Sequence, residues 1–212
     1  MVERVIPEAT EALVETIGDA VKGFYLAGGT GLSLQLSHRM SADLDFFSEA
    51  PFNNDVVLDR LNPDRILFTS EGTVHCEKDS VKISLLYYRE PLMFPLIAWH
   101  GIMVADLKDI AAEKIKAISQ RGTKRDFYDL YAIITMRLSI AEVCGLFIKR
   151  FKGHSINRYH MLKSLVYFND ADAEPDPVIL AEGSQWQWST IRQFFERHIK
   201  DFEAHLLDEE HL

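Results

Sequence analysis

Two aspartates one residue apart, Asp43 and Asp45, stand in an apolar run with Leu44, Phe46 and Phe47. In an extended strand residues i and i+2 point to the same face, so this spacing sets two carboxylates side by side over a hydrophobic underside. Adjacent carboxylates repel, and holding both ionised calls for a cation between them. Mg²⁺ suits such a pair because it takes hard oxygen ligands, keeps several waters and shares its shell with substrate phosphates. Upstream, the apolar residues 24–27 read as a short buried strand that stops at Gly28-Gly29, where no Cβ obstructs the backbone. Thr30 can cap the segment that follows, in which Leu32, Leu34 and Leu36 interleave with polar residues. A glycine turn opening onto a helix N-terminus offers N–H groups to an anion. Carboxylate pair and glycine turn together describe a site for a metal–nucleoside triphosphate. An isolated Asp-x-Asp triplet is also found at exposed strand ends; the glycine turn and the apolar flanks raise this one above that reading. Between the two parts, Arg39 could face a triphosphate or serve as a salt-bridging arginine, and Ser41 reads as a turn residue.

A second constellation lies further on. Wound as a helix at about 100° per residue, residues 106–121 place Leu107, Ile110, Ala111, Ile115, Ala117 and Ile118 on one face, with Asp106 as N-cap. Asp109 and Glu113 fall on the other sides, but Lys114 lands inside the apolar arc, with Arg121 close to the same line. In the next helix, residues 124–136, Asp126 shares the apolar side with Leu130 and Ile133, and Asp129 flanks it. Charges aimed at a core need partners or a polar cleft. An internal salt-bridge network satisfies that need, and so does a phosphate-binding site.

The remaining chain must position these groups. Residues 6–21 carry apolar residues at helical spacing and read as an opening helix packed on a sheet. Residues 51–54 are a turn cluster before a short helix at 55–61. Strands are expected at 65–69, 72–77 and 81–88, with a last one at 101–105. From Asp106 onward the periodicity is helical, which sets the domain division at 1–105 and 106–212. Residues 170–177, acidic and proline-bearing, read as a solvated connection. Trp186, Trp188, Phe194, Phe195 and Phe202 read as core packing in a terminal helix.

Composition narrows the possibilities. A chain of 212 residues with 47% hydrophobic and 26% charged content can bury a sizeable core as an ordinary globular protein. The opening MVERVIPEAT lacks the layout of a secretory signal, no apolar run reaches the length of a membrane span, and a cytoplasmic location is expected. Cys76 and Cys144 are too few for a disulfide framework or a zinc site. The net charge of −9 argues against a broadly basic nucleic-acid surface, so any RNA contact must be local, with basic stretches at 121–125 and 149–158 as its sources.

Ala27-Gly28-Gly29, thirteen residues, then Asp43-Leu44-Asp45 resembles the signature of the DNA polymerase β nucleotidyltransferase superfamily. More narrowly, LAGGTGLSLQLSHRMSADLDFF followed by KIKAISQRGTKRDFYDLY resembles the AbiEii/AbiGii toxin family, the toxin half of type IV toxin–antitoxin pairs. The resemblance implies an α+β fold: a nucleotidyltransferase-like mixed β-sheet with flanking helices, then a C-terminal helical bundle that completes the active-site cleft. It implies Mg²⁺ on Asp43 and Asp45, and NTP phosphates cradled by Gly28, Gly29 and Thr30. Lys114 would stabilise the transferring phosphate and Asp126 would orient or deprotonate an acceptor hydroxyl, with Arg121 and Asp129 as scaffold. The implied acceptor is the 3′ end of tRNA, and the implied partner is a neighbouring antitoxin that need not bind the toxin directly. One feature departs from the superfamily, where a third carboxylate commonly sits on a later strand opposite the pair. Here that segment is Val81-Lys82-Ile83-Ser84-Leu85, with serine where the acid is expected, and Glu77 and Asp79 lie in or beside a turn. The departure removes the usual place of a strand-borne general base and supports an alternative, a non-catalytic module of this fold that binds NTP or a protein.

Overall fold

In the computed structural model, residues 5–207 are described; residues 1–4 and 208–212, the outer ends of the expected domains, lie outside them. These residues fall into two compact units that meet in sequence at Leu107 and Lys108.

The first unit is built on apolar alternation. Its elements are α1 (Glu8–Ile17), β1 (Tyr25–Leu26), α2 (Gly28–Leu36), β2 (Leu44–Ser48), α3 (Asn54–Leu61), β3 (Arg65–Ser70), β4 (Thr73–Lys78), β5 (Val81–Tyr87), β6 (Ile97–Trp99) and β7 (Ile102–Val104). The seven strands form one sheet in the order β3-β4-β5-β2-β1-β7-β6. It is mixed: β2 runs parallel to β5 and β1 to β7, while the other pairs are antiparallel. On one face Leu44, Phe46, Val74, Cys76, Ile83 and Leu85 pack with Leu13, Val14 and Ile17 of α1 into the core. The opening helix ends at Ile17, four residues before Val21, which still reaches that core. Asn53 caps α3 by accepting from the N–H groups of Asp55 and Val56. The sequence did not reveal β6. It is three residues long, and only its pairing with β7 across the positive-φ pair His100-Gly101 makes it a strand.

The second unit is helical, continuing α4 (Leu107–Gln120) through α5 (Lys124–Met136), α6 (Ile140–Arg150), α7 (Arg158–Ser164), α8 (Asn169–Asp172) and α9 (Trp188–Leu206). A capping box between Ser139 and Glu142 starts α6. Phe127, Phe195 and Phe202 are fully buried, with Phe195 5.4 Å from the Phe127 ring and 6.0 Å from Phe202. Trp186 lies ahead of α9 in a short 3₁₀ turn rather than in the terminal helix. A mixed sheet with flanking helices followed by a helical half is the expected α+β class. Among the described residues no single helix is long and apolar enough to cross a membrane.

Candidate active site

The glycine turn leaves the sheet directly beside the aspartate pair. β1 pairs antiparallel with β2, Leu26 opposite Phe46, and the Ala27 N–H donates to the Asp45 carbonyl at 3.0 Å. Gly28 then adopts a φ of +62°, and a Cβ there would stand 3.1 Å from Asp45 Oδ2. A Cβ on Gly29 would overlap Nη2 of Arg39, which is 3% exposed and donates from Nη1 to the Met40 carbonyl at 3.1 Å. Gly28 is favoured by its left-handed φ, with a carboxylate oxygen close by, and Gly29 by the Arg39 guanidinium that occupies the place of a Cβ. Thr30 is not a cap: Ala27 holds that position, and Thr30 sits within the first turn of α2. Its hydroxyl donates to the Asp43 carbonyl at 2.5 Å and lies 2.8 Å from the Ser41 hydroxyl, tying the helix to the chain entering β2.

Asp43 immediately precedes β2 and Asp45 is its second residue; both are half-buried, between the sealed Leu44 and Phe46. Among the described residues no group of three or more His, Cys, Asp or Glu side chains is arranged to hold an ion. A donor set of two carboxylates fits Mg²⁺, which binds through one or two carboxylates plus substrate phosphates rather than an all-protein cage.

Ser84 is the register partner of Asp45 in the parallel β2–β5 ladder, so the serine noted in the sequence stands alongside the pair. Its hydroxyl is 3.1 Å from His75 Nδ1 on β4. Glu77 lies near the end of β4, beside the turn as expected, and pairs with Arg65 at 3.0 Å; Asp79 is in the turn, at a φ of +50°. His75 was missed from the sequence. Its only signal was the alternation of Thr73, His75 and Glu77 with the core residues Val74 and Cys76.

The second unit holds the other constellation. Lys114 Nζ lies 2.9 Å from Asp126 Oδ1 and 2.5 Å from Asp129 Oδ2. Arg121 grips Asp126 with Nε at 2.7 Å and Nη2 at 2.9 Å, and the Thr123 hydroxyl donates to it at 2.7 Å. Lys114, Asp126 and Asp129 are all sealed, at 3%, 1% and 0% exposure. Burial pushes the Asp126 carboxyl upward, but the Lys114 ammonium and then the Arg121 guanidinium outweigh it and hold the group well below the usual carboxylate range. The structure therefore brings Lys114 and Asp126 together and adds Arg121 and Asp129 to the same network.

Two expectations about charge change. Asp109 does not face solvent: it is 1% exposed and held by Arg150 of α6 at 2.6 Å, which also meets Glu113 at 2.7 Å. Residues 170–177 are more than a solvated link, because Glu174 accepts from the Lys124 N–H and from Nζ, and Asp176 pairs with Nζ at 2.9 Å. Arg121, Lys124 and Arg150 are thus committed to carboxylates, which shrinks the two basic stretches expected to serve RNA.

The profile of the AbiEii nucleotidyl transferase toxin family, a type IV toxin–antitoxin system, matches residues 12–84 and 65–209. An uncharacterized protein of Aquifex aeolicus is 36% identical over 204 residues, covering 92% of this chain and 96% of the relative. Among solved structures, MenT4, a nucleotidyltransferase toxin from Mycobacterium tuberculosis, superposes with a TM-score of 0.54 at 18% identity, covering 95% of this chain and 94% of that one. JHP933 from Helicobacter pylori superposes with a TM-score of 0.50 at 18% identity, covering 93% and 91%. At that identity the two structures show the fold. The profile spans both the glycine turn with its aspartates and the Lys114–Asp126 helices, and the chain belongs to the AbiEii nucleotidyl transferase toxin family.

Proposed function

We propose that this protein transfers a nucleoside monophosphate from an NTP to an acceptor hydroxyl, acting in the cytoplasm, with the 3′ end of tRNA as the first acceptor to test. The observation that carries the reading is the contact of the Gly28 turn with Asp45, where a single added Cβ would crowd the carboxylate. Asp43 and Asp45 would hold Mg²⁺, which when bound supplies charge neutralisation to the triphosphate. The first N–H groups of a helix have no carbonyl partner within it, so Gly28, Gly29 and Thr30 offer donors to the phosphates, and Arg39 adds positive charge behind Gly29. In the transfer, the acceptor oxygen bonds to the α-phosphorus, the bond from that phosphorus to its bridging oxygen breaks, and pyrophosphate leaves with the electron pair. The resemblance of the Lys114–Asp126 block to this family implies a place for Lys114 on the transferring phosphate and for Asp126 near the acceptor. With both carboxylate oxygens held by Lys114, Arg121 and Thr123 and only 1% exposed, Asp126 would act by positioning Lys114 rather than as a base, and the proton of the acceptor hydroxyl passes to water. Catalysis then comes from positioning and electrostatics, as in phosphoryl transfer generally. A neighbouring antitoxin would relieve the toxicity without a required direct contact.

A second reading rests on Ser84 beside Asp45, a hydroxyl in place of a carboxylate. It makes the protein a non-catalytic module that binds nucleotide or a protein. Incubation with Mg²⁺, each α-labelled NTP and total bacterial RNA or protein extract separates the two, with Asp43→Ala/Asp45→Ala as control. Label on tRNA-sized RNA only with the wild type supports the transferase. NTP binding without any label transfer supports the module.

A further inference from the structure

Asp45 is one end of a lateral row of side chains. Across the neighbouring strands β2, β5, β4 and β3 the register partners run Asp45, Ser84, His75, Phe68. Side-chain contacts agree: Ser84 Oγ is 3.1 Å from His75 Nδ1, and the Phe68 ring lies 6.0 Å from the imidazole with planes 33° apart. The flanking residues Phe46, Ile83, Leu85, Val74 and Cys76 point to the opposite face and fill the core, so the row lies on the face turned away from it. Three strand spacings of roughly 4.8 Å carry the row about 14 Å from Asp45 to Phe68.

Phe68 is 53% exposed, and its place in the row is made by a backbone irregularity. Ile66 is opposite Cys76 and Phe68 opposite His75, with Leu67 inserted between them as a bulge. In regular pairing Leu67 would face His75. The bulge replaces an aliphatic side chain with an aromatic one beside the imidazole, the re-aiming that bulges perform near active sites. Two planar rings at the outer end, a hydroxyl in the middle and a carboxylate pair at the inner end match the parts of a nucleotide in order.

We propose that Phe68 and His75 form a stacking platform for a nucleobase whose sugar–phosphate runs along Ser84 toward Asp43 and Asp45. The direction of the phosphate rests on the nucleotidyltransferase reading; the stacking does not. The base belongs either to the incoming NTP or to the terminal nucleotide of the acceptor, and aromatic stacking takes any base because each has a π-face.

The test is equilibrium binding to the full chain in Mg²⁺, comparing wild type, Phe68→Ala and Phe68→Tyr. The probes are the four NTPs, a short single-stranded RNA with a free 3′-hydroxyl, and inorganic tripolyphosphate. Phe68 is exposed, so its removal leaves no buried cavity and the variant folds. Phe68→Ala weakens a base-bearing probe roughly tenfold, Phe68→Tyr restores it, and tripolyphosphate is indifferent to both. Loss confined to the NTPs assigns the platform to the incoming nucleotide, and loss confined to the RNA assigns it to the acceptor. Unchanged binding of both, equal loss with tripolyphosphate, or no binding of either by the wild type overturns the platform. Phe68-dependent binding with no label transfer by the wild type overturns the transferase reading alone.

Discussion

Lys114 Nζ lies 2.9 Å from Asp126 Oδ1, with the lysine side chain 4% and the aspartate 1% exposed. Ion pairs sealed to this degree punish loss of one partner, by about 3–5 kcal/mol, because the other charge is left buried. Lys114→Met removes the ammonium from both Asp126 and Asp129 and should lower the unfolding free energy by that amount. Asp126→Asn should cost less, since Lys114 keeps Asp129 at 2.5 Å. Urea denaturation of the two variants checks the order; equal losses, or a loss under about 1 kcal/mol for Lys114→Met, would contradict it.

The same pair predicts how stability responds to acid. The Asp126 carboxyl binds a proton more weakly in the folded protein than in the unfolded chain. Its contribution is fully present above the ordinary carboxylate value of about 4 and is lost as pH falls below that toward the depressed folded value. Wild type should therefore lose stability more steeply than Asp126→Asn below about pH 4, with parallel profiles between about pH 6 and 8. Profiles that stay parallel into the acid range would show that Asp126 does not gain from ionisation.

Asp43→Asn and Asp45→Asn change charge without changing shape at two half-buried positions. Both should leave the urea midpoint nearly unchanged. Label transfer should fall by more than the roughly 10–100-fold that an outer-shell partner of a metal is worth. Retained transfer in either variant would remove that aspartate from the metal.

The glycine turn makes a non-additive prediction. Gly28→Ala forces an L-residue to hold a φ of +62°, at about 1–2 kcal/mol, with its Cβ 3.1 Å from Asp45 Oδ2. Gly29→Ala overlaps the Arg39 guanidinium instead, an overpacking cost of about 1–3 kcal/mol. Because Arg39→Ala removes the overlapping atoms, the Gly29→Ala/Arg39→Ala double should lose less than the sum of the singles. Strict additivity in denaturation experiments would mean that the turn yields without touching Arg39.

Both cysteines are buried, and burial pushes the Cys76 thiol up to about 11 against a smaller opposing pull from Lys78, and the Cys144 thiol up to about 12. Native protein at about pH 8 should resist a thiol-reactive dye that both sites accept on unfolding, since the thiolate is the nucleophile. Neutral burial of these thiols supports the fold below their ordinary value of 9.0 and is lost as pH rises toward about 11 and 12. Rapid labelling of either cysteine before unfolding would refute their sealing.

Local chemistry was legible in the sequence wherever a pattern repeats within one element. The alternation across Leu44, Asp45 and Phe46 foretold a strand with one buried face, because side chains alternate at each residue. The helical arc around Lys114 foretold its burial, since an α-helix returns to the same face every three to four residues. Gly28-Gly29 and the cluster at 51–54 announced turns through backbone requirements that belong to single residues, whereas the capping of α3 by Asn53 emerged from the structure. What the tertiary structure alone decided was which distant residues meet. That Arg150 neutralises Asp109, 41 residues away, depends on how α6 packs on α4. That Ser84 stands beside Asp45, and His75 beside Ser84, depends on strand order and register, which a one-residue slip would reverse. The bulge at Leu67 that turns Phe68 toward His75 carries no signature in its own residues; only the pairing of β3 with β4 creates it. Sequence sets the conformational preferences of each segment, whereas the neighbours of a side chain are set by long-range packing that no single segment encodes.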